Sequence, residues 1–482
     1  MIDAVTIYLF GLKYVVSFTA ILIALNGLDD LIIDLLYWGR RVFRGSLVYT
    51  RYQRADAATL PDRQETWFAI MVPAWDEAAV IGHMLAEAIN RIDYDRYVIF
   101  VGCYPNDPGT REAAEAINSL LPGSALPESR GSRIVCVDVG HDGPTTKADC
   151  LNAIYAAAQK WQTINQTSFS GYVLHDAEDV VHQLELRVFN FLIDRKDMIQ
   201  LPVVPLRRGL GQFVGGHYLD EFAEAHSKDL VVREMLCRGL PSAGVGCAFS
   251  ARAMRIAAQR TGVPFNQASV TEDYEFALRL QAEGCVAAFV RIPQSDGTSN
   301  AVATREYFPS RFRDAVRQKS RWLMGIALQG WQSLGWRGTL LQKYMLFRDR
   351  KALFISFLNI LAYILVLHFL ILIILPLIWA DSPRFLSLVD RESLTWWLLI
   401  ANAVFFANRL VHRVYFTFRL YGTRQSIMSI PRQIVGNVIN FCAGLRALWL
   451  FAKALHQSTR IRWDKTDHAF PVRGRDGQLE DV

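Results

Sequence analysis

Two clusters of carboxylates are the residues of this chain best suited to chemistry. The first, Asp176-Ala177-Glu178-Asp179, follows the apolar run Tyr172-Val-Leu-His175 and therefore stands where a strand is expected to end. Asp176 and Glu178 are one residue apart, and carboxylate oxygens at this spacing can hold a divalent cation beside a phosphate group. Acidic residues also favour solvated loops and helix N-termini. By itself the cluster leaves a metal site and an ordinary polar loop both open.

The second cluster is Glu272-Asp273, which follows Thr271 at the start of the helical pattern Tyr274 to Ala282. A carboxylate held in such a place can act as a general base, taking a proton from a hydroxyl group as that group attacks a carbon atom. The same residues also fit ordinary helix capping, with Thr271 as the cap and the two acids in the first turn. Spacing alone does not separate these interpretations.

Gln318, Arg321 and Trp322 form a third group, in a helical stretch just before the longest apolar runs. Gln318 and Arg321 share a helix face at i and i+3, and Trp322 lies beside Gln318 at i+4. A guanidinium suits phosphate oxygens, and an indole ring offers an apolar platform. An amphipathic helix at a membrane surface would show the same pattern, and the two interpretations are compatible.

The elements that must position these groups lie in residues 65–310, where strand-like and helix-like patterns alternate. Strands alternating with helices predict a parallel sheet, in which ligands lie beyond the carboxyl ends of the strands. Asp76-Glu77, Asn106-Asp107 and the first acidic cluster each follow a predicted strand, so they should form one polar rim. The predicted strands are Phe68–Val72, Tyr97–Val101, Arg133–Val137 and Tyr172–His175.

Composition indicates a soluble domain combined with a few membrane spans. The 482 residues are 51% hydrophobic and 20% charged, with a mean hydropathy of +0.15. The net charge is only +6, from 52 basic and 46 acidic residues, and the basic residues lie near apolar runs, so no nucleic-acid partner is expected. Seven scattered cysteines include no C-x-x-C pair, which predicts a reduced, cytosolic domain without a zinc site.

Three apolar segments, 5–25, 352–380 and 394–418, are long enough to cross a bilayer, the third ending near Ala407. Basic residues flank all three on the same side, which predicts that this side is the cytoplasm. These flanking residues are Arg40, Arg41, Arg44, Arg348, Arg350, Lys351, Arg409, Arg413, Arg419 and Arg424.

Two further stretches are amphipathic. The stretch 426–456 carries Arg432, Asn437, Asn440 and Arg446, which favours an interfacial or re-entrant helix over a full crossing. Leu28 to Trp38, with three aspartates, is predicted to lie in the membrane plane, and the alternative is that it extends the first span. The predicted organisation is an anchor at 1–26, an interfacial helix and linker at 27–64, a catalytic domain at 65–310, interfacial helices at 311–351, two spans within 352–418, the helix 426–456 and a cytosolic tail at 457–482.

In their order along the chain, these motifs resemble the D-x-D, T-E-D and Q-x-x-R-W signatures of the processive family 2 glycosyltransferases, such as cellulose and hyaluronan synthases. The resemblance implies a cytosolic α/β domain of the GT-A class joined to transmembrane and interfacial helices. It also implies an inverting hexosyltransferase, embedded as a multi-pass protein in a bacterial inner membrane.

The resemblance further implies roles for single residues. Asp273 would be the catalytic base, and Asp176 and Glu178 would bind Mg²⁺ or Mn²⁺, although Glu178 departs from the second Asp of D-x-D. The acceptor would meet Glu272, Gln318 and Trp322. The UDP-sugar donor would meet Trp75, Glu77, Asp107, Lys147 and Arg321, of which Trp75 and Asp107 also depart from the usual residue types.

A narrower resemblance covers most of the chain. The segment from Val72-Pro-Ala-Trp-Asp-Glu77 to Trp322, with the tail string Arg462 to Pro471, is similar to the inner-membrane glycosyltransferase subunits of bacteriophage N4 receptor systems. It implies transfer from a UDP-hexose or UDP-N-acetylhexosamine to a growing exopolysaccharide, beside membrane lipid and with a homo-oligomeric or envelope export partner. Such proteins usually carry a cyclic-di-GMP-sensing domain after the tail string, and the sequence leaves direct control of this chain by that nucleotide open. The alternatives are single-step transfer to a lipid carrier and a degenerate scaffold.

Overall fold

The computed structural model describes residues 4–120, 133–293, 301–379, 389–457 and 469–471, so most of the predicted tail 457–482 lies outside the described residues. The strands in these ranges are β1 (Trp67–Pro73), β2 (Tyr97–Cys103), β3 (Ile134–Asp138), β4 (Phe169–Leu174), β5 (Met198–Gln200), β6 (Val203–Pro205), β7 (Cys247–Ser250), β8 (Ala287–Phe289) and β9 (Thr304–Glu306). The helices are α1 (Ala4–Phe43), α2 (Ile81–Arg91), α3 (Pro108–Leu120), α4 (Lys147–Ile164), α5 (Glu185–Leu192), α6 (Phe213–Glu224), α7 (Leu230–Cys237), α8 (Ala251–Ala258), α9 (Glu272–Ala282), α10 (Phe312–Leu323), α11 (Gly330–Leu334), α12 (Leu340–Ile378) and α13 (Leu394–Gln457). Short π-helical segments follow α1, α6 and α10, at Arg44–Val48, Ala225–Asp229 and Met324–Gln329.

Seven strands form the main sheet, in the order β3-β2-β1-β4-β7-β5-β8. The four predicted strands lie in β1 to β4 and are parallel neighbours, as the sequence indicated. The prediction of a wholly parallel sheet is wrong for β7, which runs antiparallel to both β4 and β5. Cys247, at the start of β7, lies opposite Leu174, at the end of β4.

Helices cover both faces of this sheet, which explains why its strands are continuous apolar runs rather than alternating ones. Every residue of β1 and β2 is buried. One face packs against α4, α7, α8 and α9, and the other against α2, α3 and α5. The faces are therefore filled, and the edge where the parallel strands end is left for polar loops.

The first helix is longer than predicted. A single helix, α1, continues through the stretch Leu28 to Trp38, so the predicted separate helix beginning at residue 27 is not formed. The aspartates explain the difference, because they face cationic side chains of neighbouring elements. Asp34 Oδ1 lies 2.6 Å from Lys228 Nζ, and Asp29 pairs with Arg348 and Lys351.

Among the described residues, three helices are long and apolar enough to cross a membrane: Ile7–Val48, Leu340–Ile378 and Leu394–His456. The last of these contains both the third predicted span and the predicted helix 426–456. The two parts meet at Gly422, whose backbone is not helical (φ 78°, ψ −177°). A positive φ of this size suits glycine, so the change of direction is built into the sequence at this position.

Arg432 lies on the second part of α13 and is only 1% exposed. Its Nη2 atom donates to Asp220 Oδ1 of α6 at 2.8 Å, and its Nη1 atom donates to Gln425 Oε1 at 2.7 Å. The sequence suggested that Arg432 would reach water at an interface, whereas here the guanidinium enters the protein. Gly216 of α6 makes room for it, since a Cβ atom there would stand 2.6 Å from Arg432 Cδ.

Candidate active site

A cavity of about 370 Å³ opens at the carboxyl ends of the parallel strands and extends to the start of α12. Its wall includes residues of the β1 and β4 loops, of α4 and α9, and of α10. The structure thereby brings together nine of the predicted site residues: Glu77, Lys147, Asp176, Glu178, Glu272, Asp273, Gln318, Arg321 and Trp322. Trp75 and Asp107 do not line the cavity.

A buried histidine, His175, holds the acidic loop that follows β4. His175 donates from Nδ1 to Asp179 Oδ2 at 2.7 Å and from Nε2 to Glu185 Oε1 at 2.6 Å, and all three side chains are fully buried. Burial lowers the pKa of His175, but the two carboxylates outweigh it and raise that pKa to about 10. Asp179 also accepts from the Asp176 backbone N–H at 3.1 Å. Asp179 thus supports the loop, while Asp176 and Glu178 line the cavity.

Lys147, at the first position of α4, pairs with Asp176 at 2.5 Å between Nζ and Oδ1. Burial lowers the pKa of Lys147, but the charges of Asp176, Glu272 and Asp273 outweigh it and hold the pKa above its ordinary value. One ammonium group therefore faces carboxylates from two motifs about 100 residues apart in sequence. This side of the cavity therefore combines carboxylates with an ammonium group, which are the charges that suit a metal ion and a diphosphate.

Asp273 lies in the first turn of α9 beside the glycine-containing turn before β7. Gly244 has φ +80°, and a Cβ atom on it would stand 2.6 Å from Asp273 Oδ2, so only glycine allows this approach. Burial raises the pKa of Asp273, and burial together with the Asp273 charge raises that of Glu272 to about 8. Both carboxyl groups therefore take up a proton at higher pH than an ordinary carboxyl group does.

The capping role predicted for Thr271 is not formed. Its side chain makes no capping hydrogen bond to α9, and Thr271 Oγ1 has no hydrogen-bond partner among the described residues. Thr271 packs instead on Gly325, where an added Cβ atom would stand 2.2 Å from Oγ1. The first turn of α9 must therefore be held by other contacts.

Gln318, Arg321 and Trp322 face the cavity from one side of α10, as their spacing predicted. The Trp322 ring packs edge-on against Tyr218, with centroids 6.1 Å apart, and lies 6.3 Å from the ring of Phe222. The opposite side of α10 is tied to neighbouring helices by a Lys319–Glu221 ion pair and by an Arg446–Ser320 hydrogen bond. These ties fix which face of α10 the cavity meets.

Trp75 and Asp107 lie on the same rim but serve other contacts here. The Trp75 ring packs edge-on against Tyr104, with centroids 5.2 Å apart. Asp107 Oδ2 accepts from the Asp76 backbone N–H at 2.6 Å, which braces the β1 loop against the β2 loop. Their predicted contacts with the donor remain predictions.

Glu306, on β9, is a carboxylate of the cavity that sequence reasoning missed. Burial and the nearby charges of Asp179, Glu178 and Asp176 raise its pKa well above the ordinary value. In the sequence Glu306 lies between the Glu272-Asp273 motif and the Gln318 to Trp322 motif. Its spacing from these motifs does not distinguish it from a solvated glutamate. The pairing of β9 with β6 and the backbone bridge between Arg305 and Val180 bring it to the acidic loop.

The chemistry of the donor set fits a divalent ion that shares its ligands with a substrate. Within the described residues, no group of three or more His, Cys, Asp or Glu side chains is arranged to hold a metal ion by itself. Mg²⁺ is commonly bound by one or two carboxylates together with substrate phosphates, rather than by a complete protein cage. Asp176 and Glu178 supply such a pair on the cavity wall.

Comparison with known proteins agrees with this arrangement. Residues 172–380 match the family described as glycosyl transferase family group 2. The chain therefore contains a family 2 glycosyltransferase domain, and its mixed α/β sheet is of the GT-A type. The predicted family 2 glycosyltransferase domain and the predicted GT-A fold class are confirmed.

Two curated relatives are similar over almost the whole chain. Bacteriophage adsorption protein B of Escherichia coli K12 and bacteriophage N4 adsorption protein B of Escherichia coli O157:H7 are each 40% identical over 488 residues, which cover 98% of this chain. The chain spans 64% of the length of either relative. Among solved structures, the mannosyltransferase of Pyrobaculum calidifontis in complex with GDP-Man and Mn²⁺ is 16% identical, with a TM-score of 0.53 over 90% of this chain and 99% of that one. At this identity the similarity shows the fold alone.

Proposed function

We propose that this protein is an inverting, membrane-embedded glycosyltransferase that adds hexose or N-acetylhexosamine units from a UDP-sugar to a growing exopolysaccharide. One observation carries the proposal. A single cavity contains a carboxylate pair, a lysine, a base candidate and the Gln318–Trp322 helix face, and it reaches the start of a membrane-length helix.

The donor would bind at the Asp176 side of the cavity. Asp176 and Glu178 would hold Mg²⁺ or Mn²⁺, which when bound neutralises the charge that grows on the departing diphosphate. Lys147 and Arg321 would donate to diphosphate oxygens, with Lys147 exchanging its present contact with Asp176 for the phosphate. These groups favour departure of UDP because their charges are already in place.

The acceptor would bind at the Trp322 side of the cavity. An acceptor hydroxyl between Asp273 and the donor could attack the anomeric carbon from the face opposite UDP, while Asp273 takes up the hydroxyl proton. One new C–O bond forms as the bond to the diphosphate breaks, and the configuration inverts. Gln318, Glu272 and the Trp322 ring would orient the acceptor sugar.

We also propose that the catalytic domain faces the cytoplasm of a bacterium and that the chain is a multi-pass inner-membrane protein. Reporter fusions at Ser310 are expected to read cytoplasmic and fusions near Asp390 periplasmic, because basic residues flank the three apolar segments on one side. Paired alkaline phosphatase and green fluorescent protein fusions give opposite signals at each site and so check each other. A cytoplasmic Asp390 fusion would contradict this orientation.

Export requires further protein, because a sugar chain crossing hydrocarbon must keep its hydroxyls hydrogen-bonded. The three membrane-length helices of the described residues are too few to surround such a path. A homo-oligomer or an envelope partner would complete it, with Asn437, Asn440 and Arg446 near the exit. Long polymer secreted into liposomes by a demonstrated monomer would contradict this requirement.

The experiment that tests the function is incubation of membranes containing the protein with a panel of radiolabelled UDP-sugars, and with GDP-mannose as the comparison donor. We expect one UDP-sugar to label a polymer in a Mn²⁺- or Mg²⁺-dependent reaction, with Asp273→Asn membranes as the blank. Label found only in a lipid phosphate-linked monosaccharide would favour single-step transfer to a carrier. No label from any donor in membranes with folded protein would favour the scaffold alternative.

A further inference from the structure

The string Arg348-Asp349-Arg350-Lys351, near the start of α12, contacts three different parts of the molecule. Successive side chains of a helix point about 100° apart, so four in a row can face every direction. Arg348 and Lys351 bind Asp29 of α1. Arg350 Nη2 donates to the carbonyls of Gly330 at 3.1 Å and Gly335 at 2.7 Å, at the two ends of α11. Asp349 faces α7 and α9 of the catalytic domain.

Asp349 accepts three hydrogen bonds there. Arg233 of α7 binds it with both terminal nitrogens, Nη1 to Oδ1 at 2.7 Å and Nη2 to Oδ2 at 2.9 Å. Tyr274 of α9 donates its hydroxyl to Asp349 Oδ2 at 2.6 Å. The side chains of Arg233 and Asp349 are only 8% and 18% exposed, so solvent screens this contact weakly. Tyr274 directly follows Asp273 in the sequence. Tyr274 and Asp349 both line the cavity.

The first turn of α9 needs such a contact because it lacks a side-chain cap. Among the described residues Thr271 Oγ1 has no partner, and Asp273 Oδ1 accepts a hydrogen bond from the backbone N–H of Tyr274 at 2.8 Å. Val270 precedes Thr271, and its backbone N–H donates to Gln329 Oε1 at 3.1 Å. This bond fixes the loop before α9 rather than α9 itself. The Tyr274 hydroxyl bond is therefore the side-chain hydrogen bond that sets the first turn of α9 against α12.

We propose that Asp349 is a positioning residue for the catalytic base. Asp273 lies in the first turn of α9, and the hydrogen bond between the Tyr274 hydroxyl and Asp349 attaches that turn to the first part of the membrane helix α12. This inference rests on the proposed function. Asp349 does not touch the reacting atoms and acts only through Tyr274. Since a misplacement of about 1 Å can cost about 100-fold in rate, loss of the bond should reduce turnover while donor binding persists.

The test compares Tyr274→Phe, Asp349→Asn and the double variant with the wild-type protein in membranes. Tyr274→Phe is the sharper change, because it removes only the hydroxyl and keeps both partners of the Arg233–Asp349 ion pair. Asp29→Asn is the matched control, since Asp29 is a similarly enclosed carboxylate whose ion pairs within the described residues join α1 to α12 and not to α9. The measurements are kcat per folded protein, the donor KM, UDP affinity by calorimetry and the melting temperature.

We expect Tyr274→Phe to lower kcat about 10- to 100-fold with the donor KM within about twofold of wild type. Adding Asp349→Asn to Tyr274→Phe should lower kcat little further, because the two residues act in one chain of contacts. Asp29→Asn should leave kcat unchanged even where it lowers the melting temperature.

Two results would overturn the inference: wild-type kcat in Tyr274→Phe, or an equal loss of kcat in Asp29→Asn. Either can occur while the wild-type protein transfers sugar, in which case the proposed function stands and the positioning role fails. Absence of transfer by the wild-type protein would instead reject the proposed function.

Discussion

Asp273→Asn is expected to lower the rate of sugar transfer by about 10²- to 10⁴-fold, the range that a positioned general base contributes. Asparagine keeps the shape of the side chain but cannot take up the proton of the acceptor hydroxyl. UDP affinity should stay close to the wild-type value, since the base stabilises the transition state rather than the bound donor. Initial rates with the labelled donor and calorimetry with UDP measure the two quantities separately.

The matched control is Glu283→Gln, at the far end of the same helix, where the carboxylate pairs with Arg260 at 3.0 Å. This variant should retain the wild-type rate. Near-normal turnover by Asp273→Asn would show that Asp273 is not the general base, and Glu272 would become the candidate. Loss of UDP binding together with the rate would indicate a damaged cavity rather than a missing base.

The same assignment has a pH signature. Burial raises the pKa of Asp273, and that of Glu272 lies at about 8, so the base is protonated at higher pH than an ordinary carboxyl group. A base works only when deprotonated, and activity should therefore be lost as pH falls through the raised pKa of this coupled pair. The acidic limb of the pH–kcat profile should lie above the usual carboxyl range and be absent from any residual activity of Asp273→Asn.

Asp176→Asn is expected to lose the metal-dependent part of the activity, a fall of about 100-fold, because charge stabilisation by a bound cation is worth several kcal/mol. Removing this carboxylate also frees Lys147 from its ion pair. Lys147 can then bind the diphosphate without the metal, so UDP should still bind weakly. The predicted result is that Mn²⁺ strengthens UDP binding to the wild-type protein but not to the variant. Calorimetry with and without Mn²⁺ measures this directly.

Asp138→Asn provides the comparison for Asp176→Asn. Asp138 ends β3 at the same edge of the sheet, but its side chain is 61% exposed and pairs loosely with Arg111 outside the cavity. Its loss should change neither rate nor metal dependence. If Asp176→Asn kept a normal response to Mn²⁺, the cation would have to bind elsewhere.

Much of the cavity could be predicted because its residues lie at strand ends. The carboxyl ends of parallel strands share an edge, so Glu77 and Asp176 had to be neighbours once β1 and β4 were recognised as parallel. The α10 face was predictable for a similar reason, since helical spacing alone places Gln318, Arg321 and Trp322 together.

The rest depends on contacts between distant segments. Asp349 lies among Arg348, Arg350 and Lys351, which in the sequence resemble an ordinary basic flank of a membrane span. Its partners, Arg233 and Tyr274, are 116 and 75 residues away. Glu306 likewise depends on a short strand pairing, and Thr271 has the residue type of a cap but packs on Gly325 instead. Local patterns carry no information about such pairings.

The buried Arg432–Asp220 bond bears on how the chain is assembled during synthesis. The two residues are 212 positions apart, so the ribosome releases α6 long before Arg432 emerges. A lone guanidinium is costly in hydrocarbon, and its carboxylate partner is available only after the catalytic domain has folded. We therefore expect the second part of α13 to dock last, and only onto a domain that is already native. A chain whose catalytic domain misfolds would be left with an arginine that has lost its carboxylate partner, which is costly in hydrocarbon.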